Sequence, residues 1–143
     1  MNIRHVTSHP EIAPTRGLYS LATIVPRGDL VFISGQTAGD REGNLVGEDD
    51  VSTQTHQVFK NLGNVLNEAG ASFEDVTEFT IYLVGKDSVN PFLETRVDVF
   101  KSIYPDNKYP CSTLVNVASL GLGNALVEIS ATAVVTNSES CQG

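Results

Sequence analysis

Tryptophan is absent from this chain, methionine occurs once and cysteine only twice. Two distant cysteines, Cys111 and Cys141, with no export signal ahead of them, argue against a disulfide-built scaffold. No apolar run approaches the ~20 residues that span a bilayer. The first residues, MNIRHVTSHPEIAPTRG, lack the apolar centre of a signal peptide. A soluble, cytoplasmic protein with no membrane partner is expected. Cations are also scarce: nine Lys and Arg stand against 17 Asp and Glu, for a net charge of −8. The basic residues are scattered, so nothing attracts a phosphate backbone and no nucleic-acid partner is expected.

What is present reads as an ordinary globular chain. Its 143 residues are 41% hydrophobic and 18% charged, enough for one domain around one core. The expected domain covers 1–143, with an ordered part at 15–135. The tail at 136–143 is small and polar and is expected to be flexible, Cys141 with it.

The N-terminal 17 residues read as irregular, because Pro10 and Pro14 break a helix. A short strand is expected at 19–25, a turn at Pro26–Asp29 and a second strand at 30–36. Residues 39–44 read as a loop or hairpin tip. Val58, Leu62, Val65, Leu66 and Ala69 form one stripe of a 3.6-residue period and predict a helix over 51–69. Asp50 or Ser52 is placed to cap it, and Gly70 to end it. Gln54, Lys60, Asn64 and Glu68 are expected off the stripe.

Residues 76–84 read as a strand with Phe79, Ile81 and Leu83 on one face. Asn90 is expected to cap a second helix, with Pro91 in its first turn and Pro105 as its stop. Phe92, Arg96, Val99 and Ile103 lie along one side of it. Two strands close the chain. In the last, Val127, Ile129, Ala131, Ala133 and Val135 share one face, and Leu126, Glu128, Ser130, Thr132 and Val134 the other. The order β-β-α-β-α-β-β implies an α+β fold, a mixed sheet with two helices on one face. The second face of the last strand is then left for another subunit to cover.

Six elements in order carry a family resemblance over about 15–135. They are Gly17-Leu18-Tyr19-Ser20, Ser34-Gly35-Gln36, Gln54 and Gln57 with Asn61-Leu62, the helix exit Leu66–Ala71 with Val76, Pro110, and Leu126-Val127-Glu128-Ile129. Together they resemble the Rid (reactive intermediate deaminase, YjgF) family. The resemblance implies a chorismate-mutase-like fold and a homotrimer with a central barrel and pockets at the subunit interfaces. It also implies cofactor-independent, metal-free hydrolysis of enamines and imines, releasing ammonia.

The resemblance makes Glu128 the candidate catalytic residue, positioning or activating the attacking water. The family's Pro-x-Arg-Ser segment is here Pro110-Cys111-Ser112-Thr113, so Ser112 stands where the family has arginine. A hydroxyl cannot make the paired charge-assisted bonds of a guanidinium. The expected substrate therefore shifts away from simple 2-imino acids. Arg16 and Arg96 are candidates to restore the charge. Tyr19 is placed to hydrogen-bond or stack on a planar substrate. Ser34, Gly35 and Gln36 are expected to line the cleft, where glycine allows close backbone approach. Cys111 has no histidine near it in sequence and reads as a small thiol at the pocket, not a nucleophile. His5 and His9, four apart beside Glu11, have a metal-ligand spacing, but the prolines break the helix it needs, so no metal is expected. The alternative to an enzyme is a trimeric metabolite-binding or regulatory module that kept the pocket and lost the chemistry.

Overall fold

The computed structural model describes residues 3–15 and 17–136. Arg16, Cys141 and all of the expected tail except Thr136 lie outside the described residues.

The elements in order are β1 (Arg4–Val6), β2 (Ala22–Ile24), β3 (Asp29–Gln36), α1 (Val51–Glu68), β4 (Val76–Val84), α2 (Val89–Ile103), β5 (Cys111–Val117) and β6 (Val127–Val135). The main sheet runs β3-β6-β4-β5. β6 is antiparallel to both neighbours, while β4 and β5 are parallel and joined through α2. A parallel pair needs such a crossover, and the helix covers one sheet face. The mixed α+β fold with two helices is as expected.

α1 forms because its apolar stripe has a sheet to pack on. Val58, Phe59, Leu62 and Leu66 are buried against Phe79, Ile81, Leu83, Val127 and Ile129. The Asp50 carboxylate accepts from the Thr53 backbone N–H at 3.0 Å, which caps the first turn. At the far end Gly70 takes φ +75°, and Ala71 N donates to Leu66 O at 2.8 Å. That closing bond needs the left-handed residue. α2 adds Phe92 and Phe100, and Phe59 meets Phe79 and Phe100 edge-on at 5.9 and 5.7 Å. Edge-on pairing adds to burial alone.

Four expectations need correction. Residues 4–6 are not irregular: they pair antiparallel with 22–24 as a separate two-stranded sheet. The strand expected over 19–25 is correspondingly short and outside the main sheet. Asn90 does not cap α2, because the helix begins at Val89 after a 3-10 turn at Lys86–Ser88. There Ser88 Oγ donates to Val84 O at 2.5 Å, and the chain enters the helix two residues earlier than expected. Gln54 is not off the stripe but fully buried, one turn before Val58. Its Nε2 donates to Gly47 O at 2.9 Å and its Oε1 accepts from Leu126 N at 2.8 Å. A buried amide with both ends satisfied ties the start of α1 to the approach to β6. Fourth, Val134 is buried although it shares its face with half-buried Ser130 and Thr132, because the backbone at Gly28 packs against it.

The sheet face away from the helices is uncovered. Phe32 is 76% exposed, and Leu30 and Val115 are also exposed. No helix among the described residues is long and apolar enough to cross a membrane.

Candidate active site

β3 departs from regular pairing where it meets the middle of β6. Ile33 pairs with Ala131, and the next partners are Gln36 and Ile129. Three steps on β3 thus span two on β6, a β-bulge at Ser34-Gly35. A bulge re-aims the backbone and is common beside functional sites. Asn61 of α1 holds the strand exit, its Nδ2 donating to Thr37 O and Gly39 O at 3.0 and 2.9 Å. Gln57 Nε2 donates to Asn61 Oδ1 at 2.9 Å and fixes that amide.

The bulge lays Gly35 against the Glu128 side chain. A Cβ at position 35 would overlap the Glu128 Oε1 atom and lie 2.9 Å from its carboxyl carbon. Glu128 pairs in register with Tyr82, which alternates with the buried Ile81 and Leu83. Its carboxylate therefore projects from the face opposite the helices. It is half-buried, and it has no hydrogen-bond or ion-pair partner among the described residues. It opens into a cleft of about 350 Å³ lined by Gly35, Tyr82, Val117, Ser119, Leu120 and Ser130, among others. Ser34 lines a neighbouring cleft with Phe32, Thr80 and Thr132. Gln36 Nε2 donates to Ser34 O at 3.1 Å.

A second group of expected residues gathers around the entry to β5. Ser20 N donates to Pro110 O at 3.2 Å, and Ser20 Oγ to Tyr109 O at 2.5 Å. Thr23 Oγ1 lies 3.6 Å from Cys111 Sγ and donates to Thr77 O at 3.0 Å. These contacts hold the Gly17–Ser20 element beside Pro110–Ser112. Ser112 pairs in register with Phe79 and so stands on the sheet face that the helices cover. Arg96 of α2 is in the same layer, its guanidinium carbon 5.8 and 5.7 Å from the Phe92 and Phe100 ring centres. A Cβ on Gly17 would lie 2.9 Å from Arg96 Nη2 and 3.2 Å from the Tyr19 ring.

Glu128 and Gly35 are thus together, and Tyr19, Arg96, Cys111 and Ser112 share the surroundings of the β5 entry. Within one chain Ser112 and Arg96 stand on the helix-covered side of the sheet, whereas Cys111, in register with Glu78, stands on the same side as Glu128. Arg16 lies outside the described residues. Sequence reasoning missed Tyr82, Ser119 and Leu120 at the Glu128 cleft. Tyr82 was legible in principle, as an aromatic on the uncovered face of β4. His5 Nδ1 lies 2.8 Å from Tyr109 O, while His9 Nδ1 accepts from Glu11 N at 3.1 Å. Among the described residues no three His, Cys, Asp or Glu gather as a ligand set.

Comparison with known proteins adds a second line. The sequence profile described as Endoribonuclease L-PSP matches residues 11–135. The chain is 31% identical to a human 2-iminobutanoate/2-iminopropanoate deaminase, across 92% of this chain and 90% of that one. It is 35% identical to a RutC family protein of Pyrococcus abyssi, across 82% and 86%. A Rid family protein of Yersinia pestis superposes with a TM-score of 0.82 at 32% identity, covering 94% of this chain and all of that one. RidA from an Antarctic Psychrobacter superposes with a TM-score of 0.65 at 29% identity, across 92% and 100%.

Proposed function

The chain belongs to the Endoribonuclease L-PSP family, the Rid (YjgF) family, and from that premise we propose that it hydrolyses the C=N bond of an imine, an enamine entering the reaction as its imine tautomer. One observation carries the reading: the Glu128 carboxylate is unpartnered among the described residues and faces a cleft that only a glycine at position 35 leaves room for. An acid positioned this way is free to hold a water.

In the proposed reaction the water oxygen bonds to the imine carbon while the C=N π pair moves to nitrogen. Glu128 takes the water's proton and delivers it to that nitrogen. The carbinolamine then collapses: a C=O bond forms, the C–N bond breaks, and the hydroxyl proton leaves through Glu128 with ammonia. Tyr82 and Ser130 line the same cleft as Glu128. No cofactor is required by these steps.

The placement of Glu128 and Ser112 on opposite faces of the sheet supports a site shared between copies of the chain. The uncovered sheet face supports assembly, since Phe32 and Leu30 lie on it beside the Glu128 strand. We propose the homotrimer as that assembly. A net charge of −8 gives the ribonuclease sense of the family's description little electrostatic support.

The test is ammonia release from a panel of imines generated in situ, beginning with 2-iminobutanoate. Decay of every imine at its buffer rate would remove the enzyme reading for those compounds. A binding or regulatory module is the second reading, favoured by serine at position 112. Its mark is a ligand-induced melting shift with no turnover.

A further inference from the structure

A second cleft, of about 480 Å³, is larger than the Glu128 cleft and shares no lining residue with it. Small-molecule sites occupy about 300–1,000 Å³. β1 supplies one wall through Arg4 and His5, with Ile3 just ahead of it. The end of α2 and the turn after it supply the other, through Ile103, Tyr104, Asp106 and Lys108, and Glu74 completes the lining. Ile3 and Ile103 are half-buried. Tyr104 is buried, and its hydroxyl is spent on Phe73 O at 3.1 Å, so it offers its ring. Arg4, Lys108, Glu74 and Asp106 are exposed, and none of them forms an ion pair among the described residues. Four charges of both signs thus line one cleft without neutralising one another. His5 adds an acceptor. The Tyr109 carbonyl can only accept, so its 2.8 Å contact keeps the proton of the neutral ring on Nδ1. The Nε2 lone pair is left without a partner among the described residues.

We propose that this cleft binds a small aliphatic α-amino acid as its zwitterion. Arg4 and Lys108 take the carboxylate, and Glu74, Asp106 and His5 Nε2 take the ammonium. Ile3, Ile103 and the Tyr104 ring receive the apolar side chain. A ligand of one charge would meet two like charges along with two opposite ones, whereas a zwitterion uses all four. The C-terminal end of α2 also favours a cation beside it. His5 ties the cleft to the rest of the chain. Its Nδ1 lies 3.1 Å from Ser20 Oγ, and Tyr109 leads directly into Pro110 and β5. A bound amino acid is therefore one ring away from the Gly17–Ser20 element. The proposal is independent of the imine-hydrolase reading, since none of these side chains lines the Glu128 cleft.

The probes are L-leucine, 4-methylpentanoate, which lacks its ammonium, and 3-methylbutylamine, which lacks its carboxylate. Each is titrated calorimetrically into wild type and three variants. Wild type is expected to bind L-leucine about fivefold or more tightly than either single-charge probe. Arg4→Gln combined with Lys108→Gln loses the preference over the amine. Glu74→Gln combined with Asp106→Asn loses the preference over the acid. Both keep the wild-type circular dichroism spectrum, because all four side chains are exposed. Glu128→Gln binds L-leucine as wild type does. No binding of L-leucine by wild type, or either single-charge probe bound as tightly, overturns the proposal. So does L-leucine affinity that is unchanged in both double variants or lost in Glu128→Gln, which puts the ligand elsewhere. If a double variant does not fold, Lys108→Gln and Asp106→Asn are titrated singly, and wild-type affinity in both overturns the proposal. L-leucine binding that follows these charges with no imine turnover fails only the hydrolase reading.

Discussion

The Glu128 carboxylate lies in the space that a side chain at Gly35 would occupy. The two residues belong to neighbouring antiparallel strands and meet because β3 carries one extra residue there. Gly35 does not have a positive φ, so alanine is compatible with the backbone. Gly35→Ala is therefore expected to fold normally while driving the carboxylate from its place. A displacement of that size costs about 10²-fold in rate. Circular dichroism and ammonia release on the same sample check it: an unchanged spectrum with lost turnover is the predicted pair.

Gln54 bridges Gly47 O and Leu126 N from a fully buried position. Gln54→Leu keeps the apolar bulk but leaves a buried donor and acceptor unpaired. Each orphan costs about 1–3 kcal/mol. Urea unfolding should show a loss of about 2 kcal/mol or more, with no change in the slope against denaturant.

Phe32 is the most exposed large apolar residue on the uncovered sheet face. If copies assemble through that face, Phe32→Asp places charge inside the contact and shifts the protein to smaller species by light scattering. An unchanged mass would locate the contact elsewhere.

Asp50 caps α1 through the Thr53 N–H and hydroxyl, at 3.0 and 2.8 Å. The Thr53 backbone bond, then its hydroxyl, holds the carboxyl below its ordinary value of 3.8. A carboxyl lowered by folding stabilises above its unfolded value, and the contribution is lost as pH falls through the folded value. Asp50→Ala is expected to melt below wild type at neutral pH, and the gap to shrink as pH drops below about 4. A gap independent of pH would show that the charge has no part in the cap.

Much of the fold was legible because its periods are long and its stops are marked. The stripe from Val58 to Leu66 and the alternation in 76–84 and 127–135 identify the core faces directly, although Ala69, expected on the stripe, is the exposed residue that ends the helix. Glu128 was legible as the one acid on the last strand. The bulge at Ser34-Gly35 was not, since it is a property of the register between two strands and one strand's residues do not fix it. Arg-His-Val at 4–6 carries no strand pattern and pairs only because the chain returns at 22–24. Arg96 was legible as a stripe residue of α2. That no carboxylate among the described residues pairs with it depends on every element packed around it. Gln54 needed the stripe to be read one turn further back, where a polar residue breaks the pattern but not the burial.

The central claim is that Glu128 moves the protons of C=N hydrolysis, and ammonia release from 2-iminobutanoate by wild type and Glu128→Gln tests it most directly. The amide keeps the shape and removes the proton acceptor. Wild type should outpace the buffer reaction, and Glu128→Gln should fall by about 10²-fold or more with its circular dichroism spectrum unchanged. Equal rates for the two proteins would contradict the account.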